Sequence, residues 1–321
     1  DGIYNDCIKN DVNYNAQLQF TNDINGVINI NNCSDDGWYS YCQQGIHNIN
    51  ILGAVNISNV ADVGIINSAA TAGNLTLTNG SSIDVVSCGT RGWYNITDNG
   101  ANITCNNNGT IDIANTGTAG VYNFCRDGII NFSNNLLLTV NNSADEAGIY
   151  NLNRKEEAPY NTTFNFTNPG QIYISNCTDH GIVFSNNNGT LNAQTSGLLQ
   201  VFNTGFQGLY CYNKASNEAF PLTLNFTNNG NIRIDSTQER GIYNYTYRGQ
   251  PLTFINNGNI NISSTRYKGI YNLSDNDNAV LNFTNNGSIA IDTTREEGLY
   301  NQATQANPTL TAVLNFTNNG N

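Results

Sequence analysis

A chain of 321 residues with 39 % hydrophobic and only 11 % charged side chains does not have the composition of a charge-rich disordered protein. Its net charge of −12 and pI near 4.3 exclude the basic footprint expected of a nucleic-acid partner and argue against anionic membrane surfaces. No apolar run is long enough to span a bilayer, and although the length allows two domains, an internal repeat sets the organisation instead.

The chain opens on Asp1 and contains no Met, so it reads as a mature or excised piece, with no signal peptide visible. Gly2-Ile-Tyr-Asn is the first copy of a recurring signature. It returns at Gly37, Gly64, Gly92, Gly120, Gly148, Gly181, Gly208, Gly241, Gly269 and Gly298, at spacings of 35, 27, 28, 28, 28, 33, 27, 33, 28 and 29 residues. The common period is thus 28, and the longer intervals imply insertions near residues 9–17, 153–160 and 213–220. Insertions in a coiled repeat map to surface loops. All three follow the signature segment, so they should bulge from one corner.

Between signatures the unit is fully written at Leu222–Asn244. Leu222, Leu224 and Phe226 alternate with polar residues; Asn228-Asn229-Gly230 follows; Ile232 and Ile234 alternate again; a Ser/Thr/charged corner leads to Gly241. Apolar residues at every second position predict strands with one buried face. The Asn-Asn-Gly triplets, repeated at Asn107, Asn187, Asn256, Asn285 and Asn318, predict bends that need φ > 0. Three short strands per 28 residues suit one coil of a parallel β-solenoid, with coils stacked about 4.8 Å apart. The predicted fold is therefore all-β: one solenoid domain over residues 1–321, roughly eleven coils, right-handed by the crossover rule, on the order of 50 Å long. An antiparallel array with Asn-Gly hairpins is the rival. Stacked coils are preferred because they place identical side chains in ladders, and Asn and aromatic ladders stabilise such stacking.

Alternation predicts which way each ladder points. Ile3, Trp38, Ile65, Trp93, Val121 and their successors should face inward. The next position, Tyr94, Tyr122, Tyr150, Tyr210, Tyr243, Tyr271 and Tyr300 together with Tyr4 and Tyr39, should face outward. That stripe either stiffens the rod or makes a contact strip for another subunit or a carbohydrate. Asn5, Asn67, Asn95, Asn123, Asn151, Asn244, Asn272 and Asn301 should turn inward as a hydrogen-bonded amide ladder.

The 20 Asn-x-Ser/Thr sequons are about twice the number composition predicts. They point to covalent N-glycans on an exported chain. Candidate acceptors are Asn165, Asn225, Asn282 and Asn315, each in Asn-Phe-Thr on an outward face, and Asn32 and Asn176 at corners. Asn95, Asn244 and Asn272 are sequons too, yet the inward ladder claims them. An even count of eight Cys in such a chain predicts disulfides, with Cys7–Cys42 and Cys177–Cys211 the favoured pairs among 105 connectivities. No CxxC pair occurs and His47 and His180 are far apart, so neither zinc nor any cofactor is expected.

The chain does not read as an enzyme. Asp84, Asp112, Asp235 and Asp292 recur beside the second strand of the unit, and a catalytic carboxylate pair must be held about 5–10 Å apart in a cleft; a repeated Asp is more often a turn residue. Glu239/Arg240, Arg266/Lys268 and Arg295/Glu296/Glu297 read as solvated pairs.

By its period, its turn ladders and its strand alternation, the repeat resembles parallel β-solenoid surface proteins, namely adhesin shafts and extracellular fibres. The resemblance covers nearly the whole chain but carries no diagnostic site motif. It implies an extracellular or cell-surface structural role, with copies of the chain as partners, head to tail through open terminal coils or side by side. A carbohydrate-binding or carbohydrate-cleaving solenoid, or a host-attachment fibre, is the alternative.

Overall fold

The computed structural model describes residues 1–8, 16–154, 162–214, 222–248, 250–276, 278–305 and 311–321. Among them every regular element is a β-strand. The first coil is β1 (Ile3–Ile8), β2 (Ala16–Asn22) and β3 (Val27–Asn31), and the pattern repeats to Val313–Asn318. Like strands pair with like to build three sheets, two of eleven strands and one of ten. The chain thus makes ten full turns of a solenoid and two sides of an eleventh. Every pairing is parallel and in register: Ile242 lies on Ile270, Tyr243 on Tyr271 and Asn244 on Asn272. The antiparallel rival is excluded.

The three expected insertions fall largely outside the described residues. In each case the described chain leaves a strand of the first sheet (ending at Ile8, Arg154 or Lys214) and resumes in the second (at Ala16, Thr163 or Leu222).

Alternation decides the packing. Along Leu222–Asn228 the side chains of Leu222, Leu224, Phe226 and Asn228 are buried, while Thr223, Asn225 and Thr227 are not. The three inward faces meet in one continuous core of Ile, Leu, Val and Phe columns, with Trp38 and Trp93 widening it near the start. Phe226, Phe254, Phe283 and Phe316 stack with ring centroids 4.8–5.4 Å apart. Burying each such side chain contributes about 1.5–3 kcal/mol before the entropy of ordering is subtracted. His47 replaces a leucine in one column, between Leu18 and Leu75. It is fully buried, neither ring nitrogen has a partner, and burial lowers its pKa, so it packs as a neutral ring.

Two expectations about the turns need correction. Of the glycines in the Asn-Asn-Gly set, only Gly189 has a positive φ, +74°. The others are required by proximity: a Cβ on Gly258 would collide with the carbonyl oxygen of Gly230 one coil below. A left-handed residue recurs instead in coil after coil at the corner between the third sheet and the next signature. Asn32, Asn59, Ser87, Asn115, Asn142, Asn176, Asn203, Ser236, Ser264 and Thr293 all have φ between +54° and +62°. Asn tolerates that region better than most L-residues. The small residue that follows, Cys, Thr, Ser or Val, folds in beneath the signature glycine: a Cβ on Gly92 would meet Thr116 Cγ2 at 3.3 Å and Gly120 O at 2.8 Å.

Candidate functional site

The outer face of the first sheet carries the tyrosine stripe. The rings face out, as alternation requires, but they lie against one another. Tyr122 and Tyr150 have centroids 5.1 Å apart and planes 6° from parallel; Tyr210–Tyr243 and Tyr243–Tyr271 are each at 5.0 Å and within 9° of parallel. Tyr94 meets Tyr122 edge-on and Tyr271 meets Tyr300 at a tilt. Ile66 and Val183 interrupt the column. A second column, Tyr212–Tyr245, stacks beside it at 5.3 Å. A stacked ring shows solvent only its edge and hydroxyl. A sugar packs on an open ring face, and in the stacked pairs those faces are covered by neighbouring rings. Burial pushes the phenols of Tyr122, Tyr210 and Tyr243 well above their ordinary pKa, so they stay neutral.

Cations lie over this stripe. They come from the position just before the signature glycine, two of them, Arg240 and Lys268, being corner charges that the sequence reads as solvated pairs. Arg91 lies 4.8 and 4.2 Å from the Tyr94 and Tyr122 centroids and reaches Glu146 at 3.4 Å. Arg240 spans Tyr243 and Tyr271 and pairs with Glu239 at 2.9 Å. Lys268 spans Tyr271 and Tyr300 and bonds Glu296 at 2.5 Å and Glu297 at 3.3 Å. At His180 the same position holds an imidazole, 5.3 Å from the Tyr210 ring. Each cation ties two coils through π contacts worth about 0.5–2 kcal/mol. Of the corner charges read as solvated pairs, Arg240 and Lys268 are paired; Arg266 and Arg295 have no carboxylate partner among the described residues.

The inward amides form the expected ladder, in two lengths. Asn67 donates to Asn95, Asn95 to Asn123 and Asn123 to Asn151, at 2.9, 2.6 and 2.8 Å. Asn151 then donates to the carbonyl of Val183, because Phe184 occupies the next rung. The ladder resumes as Asn244 to Asn272 to Asn301, both bonds 2.8 Å. A second amide ladder was not anticipated. The first Asn of the triplets at Asn107, Asn228, Asn256 and Asn285 is buried, and the later ones donate upward: Asn228 to Asn256, Asn256 to Asn285 and Asn285 to Asn318, each 2.7 Å.

These ladders sort the sequons. Asn95, Asn244 and Asn272, and also Asn79 and Asn188, are buried and closed to a glycan in the folded chain. The six candidate acceptors all face outward. Asn32, Asn176 and Asn315 are exposed, and Asn165, Asn225 and Asn282 are half-buried in the second sheet's outer face. There they belong to an outer amide ladder: Asn165 donates to Asn131 at 2.8 Å, Asn225 to Asn192 at 3.0 Å and Asn315 to Asn282 at 2.8 Å.

All eight cysteines, the favoured pairs included, are free thiols in this structure. Cys7 and Cys42 do lie on one another in adjacent strands, with their thiols donating to the carbonyls of Ile46 and Asn74, each at 3.4 Å. Cys177 and Cys211 belong to different sheets, where they face Thr204 and Phe184. That pair was drawn from spacing along the chain, which does not reveal that a corner separates the two positions. Burial raises the thiols of Cys88 and Cys177, to about 12 and about 11, so neither is a nucleophile near neutral pH.

The repeated carboxylates split likewise. Asp84 and Asp112 are register neighbours on the third sheet's outer face, and burial with the nearby Asp84 charge raises the pKa of Asp112. Asp235 and Asp292 are separated by Ser263. Asp1, Asp35 and Asp36 bring carboxylate oxygens within 4.8 Å of one another; Asp36 Oδ1 is already engaged by the Val63 amide at 3.2 Å. Compared with known proteins, the chain matches no protein-family model, no curated protein and no solved structure.

Proposed function

We propose that the chain is a length of structural shaft in an extracellular, N-glycosylated fibre. The observation that carries this reading is the unbroken register. All three sheets pair coil on coil from the first turn to the last, and every column contributes a repeating contact along one axis. Such an object resists bending and transmits load through many parallel strand pairings rather than housing one reactive centre. The first and last coils present like columns, Ile3/Tyr4/Asn5 and Leu299/Tyr300/Asn301, so a further coil would continue each column, whether from the same chain or from another copy.

Two measurements test the reading. Glycopeptide mass spectrometry on the chain secreted from a glycosylating host should find sugar on outward sites such as Asn32, Asn176 and Asn225, and none on Asn95, Asn244 or Asn272. Bare asparagine at every Asn-Phe-Thr site would remove the glycan coat from the proposal. Sedimentation velocity over a wide concentration range should show elongated particles that lengthen with concentration. A compact, concentration-independent monomer would remove self-association.

A further inference from the structure

The left-handed corner leaves a shallow trough running along the axis between the third sheet and the next signature. In the last coils it opens into a hollow of about 430 Å³. Arg266 and Arg295 line it from successive coils, one strand spacing apart because Thr265 lies on Thr294. Both arginines are exposed, and neither has a carboxylate partner among the described residues. Of the acids at this corner, Glu239 is engaged by Arg240 and Glu296 by Lys268; Asp235 and Asp292 continue the Phe202 column on the third sheet's outer face. The floor is formed in part by Thr237 and Thr265, 2 % and 3 % exposed, whose hydroxyls lack any partner. One coil earlier the trough is flanked by Phe202 and Phe206, each 43 % exposed. Phe202 belongs to no stacked pair, unlike the tyrosines of the first sheet.

Two arginines without a carboxylate partner, Arg266 resting 5.6 Å from the Tyr267 ring centroid, stand out in a chain of net charge −12 and are positioned for anionic groups repeating at about the strand spacing of 4.8 Å. That is close to the length of one sugar unit in an extended polysaccharide. A guanidinium takes carboxylate or sulfate in a two-pronged bond, and an open phenyl face takes the apolar side of a pyranose. We propose that this trough, from Phe202 to Arg295, binds an extended acidic polysaccharide laid along the solenoid axis, with its anionic groups on Arg266 and Arg295. The binding is independent of the shaft reading: it requires the single coil stack, not assembly.

The test is calorimetric titration of the whole chain with a hexamer of galacturonic acid and a heparin-derived hexasaccharide, with cellohexaose as the neutral control. At least one acidic hexamer should bind saturably, weaken as NaCl rises from about 0.05 to about 0.5 M, and bind at least about tenfold more weakly to R266A/R295A. Phe202→Ala should also weaken it, while Arg91→Ala, on the tyrosine face and coils away from the trough, should leave it unchanged. All these positions are on the surface, and circular dichroism confirms that the variants keep the fold. The proposal is overturned if neither acidic hexamer binds, if cellohexaose binds equally well, or if the double arginine variant binds like the parent. It also fails if R91A weakens binding as much as the double variant, which would show a general charge effect.

Discussion

Replacing Gly258 by alanine would put a methyl group onto the carbonyl oxygen of Gly230, and neither backbone can yield without opening the coil spacing. We expect a loss of about 2–3 kcal/mol in urea unfolding, the upper range for overpacking. Gly80→Ala is the matched control: its nearest neighbours lie at 3.5 Å, so its unfolding midpoint should stay close to the parent's. Equal losses at both positions would show that backbone entropy, not the approach of coils, sets the requirement. The pair Asp179–His180 gives a pH test. Burial, then the charges of Asp145, Glu146 and Glu239, raise Asp179 to about 6; burial lowers His180 to about 4. The native chain therefore takes up a proton on Asp179 before the unfolded chain does, which favours folding on the acid side and is lost as pH rises through about 6. His180 works the other way, since the unfolded chain protonates it first, so stability is lost as pH falls from about 6.5 to about 4. The two slopes oppose each other in the parent. Asp179→Asn leaves only the histidine slope, so that variant should be more stable than the parent at pH 8 and lose stability more steeply between pH 6.5 and 4. A parallel pair of curves would show that Asp179 does not titrate in this range.

At the scale of strands and ladders, Asn123 is the clearest case. It accepts from Asn95 and donates to Asn151 inside a closed core. Asn123→Ala strands the buried Asn95 donor below and the buried Asn151 acceptor above, and leaves a small cavity. A loss of about 2–4 kcal/mol follows, measurable by chemical denaturation. If the loss is under about 1 kcal/mol, the ladder is not a source of stability but only a satisfied polar column. This ladder was legible in the sequence, because period-two alternation carries Asn123 inward with Val121. The second ladder was hidden, because Asn228 sits in a triplet that reads equally well as a turn, and turn chemistry was assigned to all three residues. The left-handed corner was hidden for a related reason: Asn32-Cys33 and Ser236-Thr237 share no single residue type, only a backbone conformation. The cation positions Arg91, Arg240 and Lys268 could have been found, since they recur immediately before the signature glycine. Arg240's partner Glu239 is its sequence neighbour and was legible too, whereas Glu146 is two coils away from Arg91 and no local pattern joins them.

Over the whole molecule, each coil packs mainly on the coils beside it, the Arg91–Glu146 pair reaching one coil further, so stability is close to a sum of coil terms and neighbour terms. The inward amides divide the stack. One ladder runs from Asn67 to Asn151, another from Asn244 to Asn301, and between them Phe184 packs against Phe166 and Phe226 at 5.2 and 5.6 Å. The centre of the rod is thus held by rings where its flanks are held by amides. A defect introduced into one ladder should stay near its own coils, because the ladder bonds join adjacent turns and the longer Arg91–Glu146 pair spans only two. In hydrogen-exchange mass spectrometry of Asn123→Ala, peptides from Trp93–Thr97, Val121–Arg126 and Ala147–Arg154 should lose protection by about tenfold or more, the effect of roughly 1.4 kcal/mol of local destabilisation. Peptides from Ile242–Tyr247 and Ile270–Asp275, beyond the Phe184 plug, should exchange as in the parent. Equal loss of protection along the entire chain would mean that the solenoid opens as one cooperative unit, and the additive picture of stacked coils would have to be replaced by a single two-state transition.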